Sequence, residues 1–317
     1  MKYRNLASAM CACFVVGLVV LLLAGQAFAT PASLAAYRTA VLADGPSGYW
    51  PFEETNSLGV TVADISPVGG TNNGTYAGTQ HNTRPGFIAG SSAYDSSQEG
   101  PVAGAWSYNN PLDWVEIPDT FSNGAMASTS FSAEAWIETD QIGGASPPGN
   151  FFMRGFFFGA GSQYVQHNGT SIAAGVQMAG GGLATIADAT WTHVVTTYAD
   201  DGAGDTDITV YVDGVPYGPT KRSALDAAGN PAVAADNSGE HISIGVLGID
   251  FSAPWYSAPC QGFDGGIDEV AYYDYALSAE QVSAHFNATD AIPEPSSLAL
   301  LSLSGLAGFL GVRRRRR

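Results

Sequence analysis

The chain has 317 residues, of which 45% are hydrophobic and only 13% charged, with 39 glycines, 17 prolines and a net charge of −17. Seven of its 12 basic residues lie at the two ends (Lys2, Arg4 and Arg313 to Arg317), so residues 30–292 hold five (Arg38, Arg84, Arg154, Lys221, Arg222) against 28 acidic ones, a net −23. A body this acidic excludes nucleic acid and anionic lipid as partners and favours divalent cations and neutral or cationic ligands.

At the front, Lys2 and Arg4 precede an apolar core, Phe14 to Ala24, and a small-residue cleavage site, Ala27-Phe28-Ala29. That order predicts a cleaved export leader over residues 1–29 and a mature start near Thr30. Cys11 and Cys13 leave with the leader and lack the Leu and small residue of a lipoprotein site. Cys260 alone remains, which excludes an intramolecular disulfide in the mature body and predicts a buried, idle thiol.

Residues 30–290 suit a single all-β sandwich in length, and their Gly, Ser, Thr, aromatic and β-branched content predicts many short strands. A helix is expected over Ser33 to Leu42 with Ser33 as its cap. Strands follow at Tyr49–Glu53, Gly59–Asp64, Trp114–Ile117, Ser130–Thr139, Phe151–Phe158, Ser171–Met178 and Trp191–Tyr198. Pro51 implies an edge or a bulge in the first of these. Ile208–Val212 alternates and runs through Asp213-Gly214 into Val215-Pro216-Tyr217, a two-residue hairpin signal because both turn positions need positive φ. His241–Val246 and Ile267–Tyr275 complete the strands. Ser278 then opens a closing helix with Gln281 at the capping-box position and Val282 and Phe286 on one face.

The tail is the most specific feature. Pro293-Glu294-Pro295 is followed by an apolar stretch, Ser296 to Val312, and five arginines. At about 1.5 Å per residue the stretch just reaches across a bilayer core, and the arginines stay on the cytoplasmic side. This order resembles the PEP-CTERM sorting signal of Gram-negative bacteria, which is read by an exosortase; the alternative is an ordinary C-terminal membrane anchor. The resemblance implies a membrane-anchored precursor, held transiently in the inner membrane, and a final place at the cell surface, outer membrane or extracellular matrix.

The body carries a second resemblance. Tyr49-Trp50-Pro51-Phe52-Glu53-Glu54, Phe131 to Ile137, Trp191-Thr192-His193-Val194-Val195 and Tyr211-Val212-Asp213-Gly214 stand in order. Phe263-Asp264-Gly265-Gly266-Ile267-Asp268-Glu269-Val270 and Ala276-Leu277-Ser278 close the series. Together they resemble the LamG-like jelly roll of the concanavalin A-like lectin/glucanase superfamily, an antiparallel two-sheet sandwich. On that fold Trp50, Phe52, Trp136, Trp191, Val195, Tyr211 and Ile267 are core residues, and His193 is packed or hydrogen-bonded. The resemblance also implies a structural calcium tying the opening segment to the closing strand, with Asp64 and Asp268 as first ligands and Asp95 behind them. Asp268 can instead cap the turn before its strand.

Catalytic signals are missing from the sequence. The superfamily's laminarinase-like enzymes place their acids on one strand as Glu-x-Asp-x-x-Glu, a spacing suited to the close carboxyl pair of retaining glycosidases. No such run exists here. Glu134 and Glu138 share a strand face with no aspartate between them and read as solvent-facing charge. There is no Gly-x-Ser-x-Gly, His-Glu-x-x-His or Gly-Lys-Ser/Thr motif, Gly180 to Gly182 read as a turn or bulge, and the five histidines are scattered. Asp200, Asp201, Asp205 and Asp207 do not follow the EF-hand pattern and read as a solvated loop.

Aromatic side chains in loops are the sugar-binding candidates, because a sugar ring presents an apolar C–H face. Trp255-Tyr256, stiffened by Pro254 and Pro259, comes first, followed by Trp106, with Tyr108 and Trp114 in similar surroundings. Three functions follow in order of fit. The first is a non-catalytic module binding polysaccharide or matrix glycan in an exopolysaccharide or biofilm setting. The second is an adhesive surface protein with no sugar pocket. The third is a glycoside hydrolase or polysaccharide lyase, against which the missing carboxylate motif counts.

Overall fold

A computed structural model describes residues 30–54, 60–68, 72–78, 82–88, 91–96, 113–118, 121, 128–140, 149–154, 163–168, 171–176, 179–187, 189–222, 241–246 and 262–289. The leader, Trp106, Tyr108, Trp255, Tyr256, Cys260, Pro293 to Pro295 and the apolar tail lie outside the described residues. Among the described residues no helix is long and apolar enough to cross a membrane.

The described residues form sixteen strands and two helices. In chain order these are α1 (Thr30–Ala43), β1 (Gly48–Trp50), β2 (Thr61–Val62), β3 (Gly74–Gly78), β4 (Asn82–Pro85), β5 (Ser92–Ser96) and β6 (Asp113–Ile117). The middle of the chain gives β7 (Phe131–Thr139), β8 (Gly149–Arg154), β9 (Gln163–Asn168), β10 (Ser171–Val176), β11 (Ala179–Thr185), β12 (Thr192–Asp200), β13 (Thr206–Val212) and β14 (Val215–Arg222). β15 (Ile242–Ile244), β16 (Gly265–Tyr273) and α2 (Ala279–Thr289) close it. One sheet runs β14-β13-β12-β7-β16-β5-β4 with β1 added beside β16; the other runs β11-β10-β9-β8-β15-β6-β3-β2. The strand pairs are antiparallel, consistent with a jelly-roll sandwich.

Alternation along each strand decides which side chains enter the space between the sheets. From the first sheet come Phe131, Ala133, Ala135, Ile137, Val194, Tyr198, Ile267, Val270 and Tyr272; from the second come Val62, Tyr76, Val115, Ile117, Phe152, Ile242 and Ile244. Each large side chain fully buried here contributes about 1.5–3 kcal/mol. Trp50, Phe52 and Ile267 sit in this core as expected. Trp136, Val195 and Tyr211 do not: they face the opposite side of the first sheet, where α1 and α2 form a third layer with Tyr37, Val41, Tyr49, Tyr273 and Val282. That layer buries β7, β12 and β16 on both faces.

Local signals set the ends of several elements. Val212 faces Val215, and Asp213 and Gly214 have φ of 50° and 75°, as a type I′ hairpin turn requires. The Ser278 amide donates to Gln281 Oε1 (2.9 Å) and the Gln281 amide to Ser278 Oγ (3.3 Å), so the capping box forms. At the other helix the cap differs from expectation, because α1 starts at Thr30 and Ser33 lies inside it. In β11, Ala173 faces Leu183 while Ala174 faces Gly181, which leaves Gly182 as the extra residue of a bulge inside a strand.

Gly265 opens β16 with φ of 146°, and a Cβ there would stand 2.0 Å from the Glu138 carbonyl oxygen. Backbone cannot yield as a flexible side chain does. Gly265→Ala is therefore expected to cost about 2–4 kcal/mol, read as a lower denaturant midpoint at unchanged slope.

Candidate functional site

The outer face of the first sheet, away from the sandwich core, carries most of the buried ionisable groups. Its geometry begins with a bulge. β16 pairs Asp268 with Trp136 and then Ala271 with Glu134, so Glu269 and Val270 oppose a single residue of β7. Ile267 and Val270 both enter the inter-sheet core, while Glu269, at φ 52°, turns toward the helices. There Glu269 accepts hydrogen bonds from Arg38 Nε (2.9 Å), Arg38 Nη2 (2.5 Å) and the Tyr49 hydroxyl. Arg38 also reaches Glu53 at 2.6 Å. Asp268 is fully buried; its Oδ2 accepts the Phe87 amide (3.2 Å) and its Oδ1 has no hydrogen-bond partner among the described residues. Burial, with the Glu269 charge behind it, pushes the Asp268 carboxyl well above the usual range. Burial also raises Glu269, against the pull of Arg38.

Two residues along β7 from Trp136, Glu134 corrects the sequence reading. It is buried beneath the helices rather than solvent-facing, because the third layer covers this stretch of the outer face. Four groups converge on it: Tyr37 Oη (2.9 Å), Tyr273 Oη (2.9 Å), His193 Nε2 (2.8 Å) and His285 Nδ1 (3.0 Å). His285 Nε2 lies 2.9 Å from Asp44 Oδ2, so both its ring nitrogens face carboxylates and both must donate. His285 is therefore an imidazolium bridging two acids. Burial alone would raise Glu134, but the His285 charge and the two histidine hydrogen bonds hold it well below the usual range. Burial pulls His285 down, and the Glu134 and Asp44 carboxylates outweigh it, leaving it raised. His193 is packed and hydrogen-bonded, as expected. A carboxylate satisfied by four donors and sealed from water is a poor nucleophile; it holds α1 and α2 to the sheet.

The third group lies toward the Thr139 end of β7, where the face is less covered: Glu134 is buried and Glu138 is 24% exposed. Trp191 precedes β12 and stands one step beyond the Thr192–Ile137 pair, across from Glu138. Glu138 pairs with Gly266, and Gly266 with Asp95, so the four form one row over one face. Arg84 of β4 joins them through Asp95 (2.8 Å), Glu138 (3.1 Å) and Asp140. Trp191 is partly exposed, and the three carboxylates are 24–43% exposed. This row is an accessible part of the face, and the fold resemblance assigned its tryptophan to the core.

The three residues named for calcium are not drawn into one site. Asp64 is buried, with Oδ1 accepting the Tyr49 (3.0 Å) and Ser66 (2.9 Å) amides and Oδ2 accepting Asn72 Nδ2 (3.2 Å). It ties β1 to the segment after β2. Oxygens already filled by N–H donors do not fit a bound cation, and beside Asp268 the Arg38 guanidinium stands where a cation would neutralise Glu53 and Glu269. Asp95 is paired with Arg84. Among the described residues no group of three or more His, Cys, Asp or Glu is arranged to hold a metal ion. The Asp200–Asp207 loop closes on itself, with Asp201 accepting the Ala203 and Asp205 amides and Lys221 Nζ.

A family model described as the concanavalin A-like lectin/glucanases superfamily matches residues 110–283, and one for the PEP-CTERM protein-sorting motif matches residues 291–316. No curated protein sequence matches the chain. Among solved structures, one of botulinum neurotoxin type C, whose cell entry depends on interaction with two ganglioside molecules, aligns at 12% identity and a TM-score of 0.51. The match covers 79% of this chain and 53% of that one. The botulinum neurotoxin serotype D/C binding domain aligns at 12% identity, TM-score 0.50, over 78% and 53%. Domain 4 of AbnA, a GH43 extracellular arabinanase from Geobacillus stearothermophilus solved with arabinotriose, aligns at 18% identity, TM-score 0.45, over 76% and 98%. The chain spans about half the length of the neurotoxin structures, and at these identities the likeness shows the fold.

Proposed function

Because this chain belongs to the concanavalin A-like lectin/glucanases superfamily and carries a PEP-CTERM protein-sorting motif, we propose that it is an exported, surface-sorted protein that binds carbohydrate without turning it over. The leader over residues 1–29 starts export. The Ser296–Val312 span holds the precursor in the inner membrane until an exosortase-type enzyme acts at Pro293-Glu294-Pro295. The body then faces the extracellular polysaccharide matrix.

The observation that carries the non-catalytic reading is how the outer face uses its acids. Four donors close around Glu134 and a guanidinium around Glu269, so these central-strand carboxylates serve packing rather than acid–base chemistry. A net charge of −23 over residues 30–292 turns the preference toward neutral rather than anionic glycans. Support from the fold is general: the neurotoxin of similar fold depends on gangliosides, so this scaffold is compatible with sugar recognition.

The test is a glycan array probed with the full chain in detergent, together with an assay for newly released reducing ends and unsaturated products. Binding to neutral polysaccharide with no such release is the expected result. Turnover of any polysaccharide would remove the non-catalytic assignment. The same array run with calcium and with chelator addresses a structural calcium; with Asp64 filled by N–H donors, binding is expected to persist in chelator.

A further inference from the structure

We propose that the open end of the first sheet's outer face binds one neutral sugar ring of a polysaccharide, with Trp191 as its stacking floor and Glu138, Asp140 and Asp95 as its hydroxyl acceptors. This rests on the glycan-binding reading above and names where that binding takes place.

The ring of Trp191 lies on bare backbone. A Cβ on Gly266 would stand 2.6 Å from Trp191 Cη2, 2.9 Å from Cζ2 and 2.7 Å from Arg84 Cδ. A glycine in a central strand forgoes a side chain's packing, and here its absence lets the indole and the arginine stem settle against the sheet. The indole packs along the edge of the helix-side cluster yet stays partly exposed. It is thus fixed before any ligand arrives, so binding costs little rotamer entropy.

Arg84 fixes the rest. It holds Asp95 Oδ1 at 2.8 Å, Glu138 Oε2 at 3.1 Å and both oxygens of Asp140. One guanidinium against three carboxylates leaves a local excess of two negative charges beside an aromatic face. Such a surface repels uronates and sulfated sugars and accepts hydrogen bonds from hydroxyls, which are stronger to an ionised acceptor. A neutral pyranose or furanose offers both halves of the match: an apolar C–H face for the indole and vicinal hydroxyls for the carboxylates. Glu138 and Asp95 each give Arg84 one oxygen, and the second oxygen of each takes a sugar hydroxyl; Asp140, 43% exposed, accepts through the remaining lone pairs of the oxygens that face Arg84.

The experiment uses the full chain in detergent and immobilised arabino-, xylo-, gluco- and manno-oligosaccharides, with polygalacturonate as the anionic control. Trp191 accessibility is followed by N-bromosuccinimide oxidation and peptide mass analysis, with and without the bound neutral oligosaccharide. We expect the oligosaccharide to slow oxidation at Trp191 severalfold and Trp191→Ala to weaken binding about tenfold or more. Trp191→Phe should fall between, Asp140→Asn should weaken binding by about threefold, and polygalacturonate should not bind. If Trp191→Ala does not fold, the Phe and Asn variants and the oxidation footprint decide. A wild-type chain that binds an oligosaccharide with unchanged affinity in these variants and no protection at Trp191 places the site elsewhere and leaves the glycan-binding reading standing. Preference for polygalacturonate overturns the charge argument and the site with it. A wild-type chain that binds none of the neutral probes removes both.

Discussion

Glu134→Gln should lower folding stability by about 3–5 kcal/mol, one of the largest effects of any single change on the outer face. The substitution keeps the shape of the side chain and removes its charge. It also turns an NH2 group toward donors, where Tyr37, Tyr273, His193 and His285 now find one acceptor in place of two. His285 remains an imidazolium with Asp44 alone, and Asp44 is 27% exposed where Glu134 is sealed. Removing the second charge relieves part of this: Glu134→Gln with His285→Gln should be more stable than the sum of the single effects, with a coupling of about 1–3 kcal/mol. Glu138→Gln, on the same strand and face but 24% exposed, should cost less than about 1 kcal/mol. Urea unfolding of the four variants, His285→Gln alone among them, checks the ranking and the coupling. Equal losses at Glu134 and Glu138 would mean that the buried network does not hold the helices.

The contrast between these glutamates also explains what the sequence could and could not tell. Strands with apolar alternation, such as Ile208–Val212, and turns with a backbone requirement, such as Asp213-Gly214, were legible because their physics is local. So was the capping box at Ser278 and Gln281. β3, β4, β5, β9 and β11 were not anticipated, since runs such as Asn82-Thr83-Arg84-Pro85 have no apolar period and become strands only by pairing with neighbours. The helical layer was missed for a related reason. A strand covered on both faces reads the same as one covered on a single face until the covering element is placed, so Glu134 looked solvent-facing and Trp136 looked like sandwich core. The Trp191 row was hidden in the opposite sense. Its tryptophan belongs to a motif that signals packing, and only the register of five strands brings Arg84, Asp95 and Glu138 beside it.

The pH dependence of stability should divide among four buried groups with opposite signs. His285 has a raised value in the fold, so its contribution is complete below its ordinary 6.5 and is lost as pH rises through the raised value. Glu134 is depressed; its contribution is complete above about 4.5 and is lost as pH falls toward the folded value. These two favour a maximum between roughly pH 4.5 and 6.5. Asp268 and Glu269 work against the neutral side, because burial raises both and the fold therefore loses stability as pH climbs above their ordinary 3.8 and 4.5. Stability measured by urea unfolding from pH 4 to 9 should fall on the alkaline side, with a slope of no more than about 1.4 kcal/mol per pH unit from each group. In His285→Gln the decline above pH 6.5 should flatten. In Asp268→Asn the difference from wild type should move in the variant's favour between pH 4 and pH 8, since an amide carries no charge to bury. An Asp268→Asn profile that rises up to pH 6.5 and stays flat from there to pH 9 would mean that His285 is neutral in the fold, and the bridge between Glu134 and Asp44 would then be two ordinary hydrogen bonds rather than an ion triad.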